Sequence, residues 1–145
     1  MKKDLAFLRK LFSKQKFAVL GTLHNMQSYQ SLIAFTSTYD LKNLLFSTRR
    51  DTQKYSNIKK NARVALLIDN RSNSEKDFKQ AVAVTALGIA REVEDTQHAR
   101  MLELFLDKHP QMEEFVKSPL TCLFQVDVDT YLIVSRFQKV QKLKV

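Results

Sequence analysis

The chain has two glycines, two prolines, one cysteine and no tryptophan in 145 residues, and it lacks any long apolar run. Each scarcity excludes something. Gly21 and Gly88 are far apart, so no glycine-rich loop can bring backbone amides against a dinucleotide or a triphosphate, and the Rossmann and Walker signatures are ruled out. Turns must rely on Asn, Asp and Ser instead, as at His24-Asn25-Met26-Gln27, Tyr39-Asp40 and Asp69-Asn70-Arg71-Ser72-Asn73-Ser74. The single cysteine, Cys122, cannot form an intrachain disulfide and suits a reducing compartment. Between Leu120 and Leu123 it is expected inside a strand, not as a nucleophile. No window approaches the roughly 20 apolar residues of a membrane-spanning helix. Met1-Lys2-Lys3-Asp4 carries charge with no apolar core behind it, so a cytoplasmic protein with no membrane partner is expected. No Ser-His-Asp order with a nucleophile turn is present, which leaves hydrolase chemistry without support.

What remains is the balance of a folded protein: 44% apolar residues and 27% charged, in a length that suits one domain spanning 1–145. Lys and Arg outnumber Asp and Glu by 24 to 15, a net charge of +9 that favours anionic ligands. Along the sequence this excess is dispersed. Lys2, Lys3, Arg9, Lys10, Lys14 and Lys16 stand at the front, a second group runs from Arg49 to Arg63, and Lys139, Lys142 and Lys144 come at the end. A solvated surface accounts for most of them.

Leu5, Leu8, Leu11 and Phe12 recur at helical spacing, which predicts an amphipathic helix within residues 1–15, packed on the domain as a lid. Residues 17–23 and 29–37 read as a β-hairpin and 44–48 as a third strand; a helix over 51–60 follows, capped by Asp51 or Thr52. Residues 63–69 and 81–93 read as strands, with Gly88 marking a bulge or a close approach. Thr96 is expected to cap a helix with Ala99, Leu102, Phe105 and Leu106 on its apolar face, and a second short helix covers 111–116 within a helical insertion over 95–117. Strands over 120–126, 131–137 and 140–145 close the chain. Six or seven strands without βαβ alternation predict a mainly β fold with peripheral helices, an antiparallel barrel rather than a doubly wound sheet.

The densest chemistry lies in Ser47-Thr48-Arg49-Arg50-Asp51-Thr52-Gln53-Lys54-Tyr55-Ser56-Asn57-Ile58, where a strand passes through hydroxyls and cations into a helix start. A phosphate monoester needs several donors and compensating positive charge. Guanidinium, ammonium, hydroxyl and free helix amides supply them together.

With these elements in order, the chain resembles the pyridoxamine 5′-phosphate oxidase-like, FMN-binding split-barrel family. The likeness rests on Phe17 to Leu23 with Tyr29 to Phe35, on Leu44 to Ile58 with Asn61 to Ile68, and on Val84 to Val93. The resemblance implies a six- to seven-stranded antiparallel split barrel. It makes Ser31, Leu32, Ile33 and Ala34 the strand beside an isoalloxazine ring, and Ser47, Thr48, Arg49, Arg50, Thr52 and Lys54 the phosphate and ribityl site. It further implies a homodimer with FMN at the subunit interface, reached by Arg136 of the partner copy, and an oxidoreductase that uses a small-molecule electron donor or acceptor. Backbone amides of the hairpin strand could satisfy the polar edge of the ring while Leu32 or Ala34 covers its plane.

The chain also departs from the family pattern. The first turn carries Asn25-Met26-Gln27 where a glycine is common, which predicts a longer or differently shaped turn. Near the C-terminus it has Arg136-Phe137-Gln138 where the pyridoxamine oxidases use Arg-x-His for substrate phosphate, so oxidation of pyridoxamine phosphate itself is not expected. Some relatives of this fold bind haem. Here His24, His98 and His109 have no metal spacing and are expected at the surface. Nucleic acid is not an expected partner, because no strand alternates aromatic and basic residues.

Overall fold

The computed structural model describes residues 1–145, and its frame is a seven-stranded antiparallel sheet closed on itself. The strands are β1 (Phe17–His24), β2 (Gln27–Ser37), β3 (Asn43–Arg49), β4 (Arg63–Asp69), β5 (Val82–Glu92), β6 (Thr121–Ser135) and β7 (Lys139–Lys144). Their order is β3-β2-β1-β4-β5-β6-β7, and a further pairing of β3 with β6 closes six of them into a barrel, leaving β7 outside as a flap on β6. The split barrel predicted from the sequence is the architecture observed.

Alternation sets what faces inward. Leu20 of β1, Ile33 and Phe35 of β2, Leu44 and Phe46 of β3, Leu66 and Ile68 of β4, Val84 and Ala86 of β5, and Phe124 and Val126 of β6 fill the barrel. Helix α1 (Lys2–Lys14) inserts Leu8, Leu11 and Phe12 into the same core, where the Phe12 ring meets Phe35 and Tyr131, both at 5.7 Å between centroids. It is therefore part of the core rather than a lid over it. Helix α2 (Gln53–Lys60) adds buried Ile58 and Asn57, whose Nδ2 donates to Thr22 Oγ1 at 3.0 Å. Helix α3 (Asp77–Gln80) is one turn in the polar loop before β5. Helices α4 (Asp95–Lys108) and α5 (Glu113–Lys117), joined by a 3-10 turn, cover the outer face of β3 and β6, where Leu45 and Leu123 pack with Met101, Phe105 and Val116. No helix is long and apolar enough to cross a membrane.

Three expectations need correction. Helix α4 begins at Asp95, so Thr96 lies inside its first turn and caps nothing; its buried face is Met101 and Phe105, while Ala99 is exposed. The two strands expected over 120–126 and 131–137 are a single 15-residue strand. The polar Asp127 and Asp129 imitate a turn, but the register shifts between Leu87 and Gly88, Asp129 becomes the extra residue of a bulge, and pairing continues on both sides. The β1–β2 turn, finally, is short. His24 pairs with Gln27, and Asn25 and Met26 take φ of 49° and 67°. Asn tolerates this left-handed region, whereas Met gains nothing from it. Met26→Gly is accordingly expected to stabilise the protein by about 1 kcal/mol, read as a higher denaturation midpoint. An unchanged or lower midpoint would contradict the assignment of strain to this turn.

Candidate functional site

The barrel opens where β2 parts from β3. Pairing between them covers only Phe35↔Phe46, Thr36↔Leu45 and Ser37↔Leu44. Continued further, that register would set Ala34 against Ser47 and Leu32 against Arg49. Instead β3 turns to follow β6 through Ser47↔Leu123, Thr48↔Cys122 and Arg49↔Thr121, and β2 stays with β1. A wedge is left between two strand edges. The Phe35 amide donates toward β1, to Lys16 O at 3.2 Å, and the Arg50 amide toward β6, to Leu120 O at 2.8 Å. By antiparallel alternation, the N–H and C=O of Leu32 and Ala34 on one side, and of Ser47 on the other, point into the wedge.

Side chains complete it. Ser47 is buried, and its Oγ has no hydrogen-bond partner; the Thr121 Oγ1, one pair along on β6, is likewise buried and unpartnered. A buried hydroxyl without a partner is costly in a folded protein unless something arrives to meet it. Leu32 stands outward at 71% exposure, and Ala34 is half-buried against the cluster under α4. Two members of the ring-side quartet point elsewhere. Ile33 is in the barrel core, and Ser31 shares its inward parity, so both serve the site through backbone only.

At the end of β3 the chain turns into α2. Thr52 is the N-cap, its Oγ1 accepting from the Tyr55 amide at 3.3 Å and lying 3.1 Å from Thr48 Oγ1. The Gln53 and Lys54 amides, the first two of the helix, have no acceptor. The cations divide by task. Arg49 makes a two-pronged pair with Asp51 at 3.0 and 2.8 Å, with both residues exposed. Arg50 turns away, to Glu92 Oε1 at 2.9 Å and the Tyr55 hydroxyl at 3.3 Å. Lys54 is half-buried and has no carboxylate partner. Of the three cations read as phosphate ligands, Lys54 is free, Arg49 is held by an exposed pair that yields readily, and Arg50 is committed to structure.

Glu92 escaped the sequence reading. It gathers Arg50, Lys59 at 3.0 Å and the Tyr55 hydroxyl at 3.2 Å. Burial would raise its carboxyl, but hydrogen bonds from Arg50 and Lys59 hold it below the usual range. Thr121 was also missed, because only the β3–β6 pairing brings it beside Arg49. Cys122 is 4% exposed, and burial pushes its thiol up to about 11, so it stays protonated and inert at neutral pH. Arg136 is not part of this wedge. It sits at φ 53° in the β6–β7 turn, beyond the opposite end of β6 from Thr121, roughly 45 Å along the strand. Only a second copy could bring it near.

The histidines differ from expectation in one case. His98 is exposed, and His24 Nδ1 lies 3.0 Å from Gln53 Nε2. His109 is buried at 1% exposure, with Nε2 donating to Phe35 O at 2.7 Å, since a carbonyl can only accept. Burial holds its imidazole below the ordinary value, against the Phe35 bond and with help from nearby Lys108 and Lys16. The unfolded chain therefore binds this proton more readily, so stability falls as pH drops below about 6.5. His109→Gln is expected to flatten that part of the stability profile between pH 7 and 5, measured by guanidinium melts. An unchanged slope would place the acid sensitivity elsewhere.

With the geometry established, relationships can be read against it. The family model described as Pyridoxamine 5'-phosphate oxidase matches residues 5–135. The chain belongs to this family. No curated protein matches the sequence. Among solved structures, a Clostridium acetobutylicum protein related to general stress protein 26, of the pyridoxinephosphate oxidase family, is similar with a TM-score of 0.77 at 17% identity, covering 100% of this chain and 96% of that one. A FAD-binding protein from Mesorhizobium loti is similar at 0.70 and 12% identity, over 88% and 90%. A heme binding protein from Mycobacterium smegmatis gives 0.83 at 14% identity over 94% of this chain, which spans only 55% of that protein. At these identities the likeness is one of fold. Pyridoxamine 5′-phosphate oxidase relatives thus carry flavin in one case and haem in another, and the residues in the wedge must decide between them.

Proposed function

We propose that this protein is an FMN-binding oxidoreductase that works as a homodimer, with FMN at the subunit interface. The observation that carries this reading is the wedge itself: open backbone edges at Leu32, Ala34 and Ser47, with the unpartnered Ser47 hydroxyl, lead directly to the free amides of α2 and Lys54. These are the donors that a polar ring edge and a phosphate monoester require.

The residue roles follow from position. Lys54 and Arg49 neutralise the phosphate, Arg49 leaving Asp51 to do so. Thr48, Thr52 and the Gln53 and Lys54 amides orient its oxygens, and Ser47 with Thr121 meets the ribityl chain. Backbone groups of Leu32 and Ala34 hold the ring edge. Arg50 does not touch the ligand; with Glu92 it fixes the β3–α2 turn. When bound, FMN supplies hydride- and electron-accepting chemistry that no side chain here can supply. The chain contributes position and positive potential, and a small-molecule donor or acceptor reaches the exposed face.

A second copy has a place to sit. Leu32 pairs with Val19 and Val19 with Leu67 across the outer face of β2, β1 and β4, and this row is flanked by Phe17, 57% exposed, and by Leu87 and Ile89 of β5. Neither α4 nor α5 packs on this row. An apolar sheet face of this kind, continuous with Leu32 in the wedge, is a subunit interface by its chemistry. The test is the absorption spectrum of the purified protein before and after adding FMN, with its mass by sedimentation. Flavin bands at one FMN per chain in a dimer are expected. A Soret band with no FMN uptake, or a monomer that binds FMN, would overturn the reading.

A further inference from the structure

The basic residues that look dispersed along the sequence are not dispersed in space. Residues 1–16 and 139–145 contain nine Lys and Arg and one Asp, which is +8, whereas residues 17–138 contain fifteen basic and fourteen acidic residues, which is +1. The fold brings these two ends together. Helix α1 lies beside β7, with Gln141 Nε2 donating to Asp4 Oδ2 at 2.7 Å and Leu143 packed in the core that holds Leu8, Leu11 and Phe12. Nearly all of the net charge of the protein therefore sits on one face.

On that face the lysines are ordered. Lys3, Lys10 and Lys14 fall within about 40° of one another around α1, on a stripe about 16 Å long, and all three are exposed. On β7, Lys142 and Lys144 alternate with buried Leu143, so they point outward about 7 Å apart. The face carries one carboxylate, Asp4, which is occupied by Gln141 and lies 3.7 Å from the Met1 amino group.

We infer that the α1–β7 face binds the phosphate backbone of duplex nucleic acid without regard to sequence. Charge complementarity makes the partner a polyanion. An anionic bilayer fits less well, because Leu8, Leu11 and Phe12 are locked in the barrel and leave α1 no apolar face to insert. Reading of unpaired bases is not served either: Tyr39, the exposed aromatic beside α1, already has the Arg9 guanidinium over its ring at 4.4 Å. Spaced lysines without stacking groups are what a repeating row of phosphates requires. The sequence argued against nucleic acid because no strand mixes aromatic and basic residues; the face formed here does not need such a strand. The inference stands apart from the flavin site.

The test is fluorescence anisotropy of a labelled 20-base-pair duplex of arbitrary sequence, titrated with the full-length protein at 50 and 200 mM KCl. Binding at the lower salt is expected to weaken about 10²–10³-fold at the higher, as for about five phosphate contacts. The triple variant Lys3→Gln, Lys10→Gln, Lys14→Gln should lower the slope of log affinity against log salt by about 3, while Lys76→Gln with Lys79→Gln leaves it unchanged and FMN does not compete. Because all five positions are exposed, circular dichroism should match the parent. No binding at 50 mM KCl, an equal effect from the Lys76 and Lys79 pair, or binding to phosphatidylglycerol vesicles but not to the duplex would each overturn the inference.

Discussion

Replacing Arg49 and Lys54 together by alanine is expected to weaken FMN binding by at least about 10²-fold while leaving the unfolding midpoint of the ligand-free protein within a few degrees of the parent. Each side chain stands to lose a charge-assisted bond to phosphate, at about tenfold or more apiece. Neither supports the fold: Lys54 has no carboxylate partner, and Arg49 is bound only to Asp51 at the surface. Arg50→Ala should behave in the opposite way. It takes from Glu92 one of three donors, so stability should fall while affinity changes little. Fluorescence titration of FMN together with thermal melts separates the two variants. If Arg50→Ala abolished binding while the double variant bound normally, the division of labour among these cations would be wrong.

Gly88→Ala is expected to destabilise the barrel by about 3 kcal/mol, lowering the melting midpoint by roughly 10 °C. The backbone angle of Gly88 is not in the left-handed region, so conformational freedom is not the reason for glycine here. The reason is close approach. A Cβ at this position would collide with the Asp127 carbonyl oxygen and lie 2.9 Å from its carbon and 3.0 Å from Val126 Cγ1. The colliding atoms are backbone at the β5–β6 bulge, and they cannot move aside without opening the pairing that carries β6 past Asp129. Guanidinium melts of the variant check this, and a midpoint equal to that of the parent would show that the bulge relaxes freely.

Strand alternation and helix periodicity are local, and the sequence accordingly revealed β4 over its observed range, the hairpin, α1 and the Thr52 cap. What it could not reveal are properties of pairing. Asp127 and Asp129 look like a turn until β5 is laid beside them and one becomes a bulge. His109 looks like a surface residue next to Pro110 until the Phe35 carbonyl is brought to its ring. The same limit applies to the site. The segment from Ser47 to Lys54 announced itself by composition, yet the separation of Arg50 from Arg49 depends on Glu92, 42 residues away. The role of Ser47 depends on where β2 stops pairing with β3. The clustering of terminal lysines, invisible along the chain, is of the same kind.

The central claim is that the β3–α2 turn is a phosphate site within a flavin wedge. It is tested most directly by comparing FMN with riboflavin, which has the same ring and ribityl chain and no phosphate, in parallel fluorescence-quenching titrations of the purified, ligand-free protein. The account predicts that FMN binds at least about 10²-fold more tightly, the margin that Arg49 and Lys54 provide. Equal affinity for the two, or no affinity for either, would contradict it.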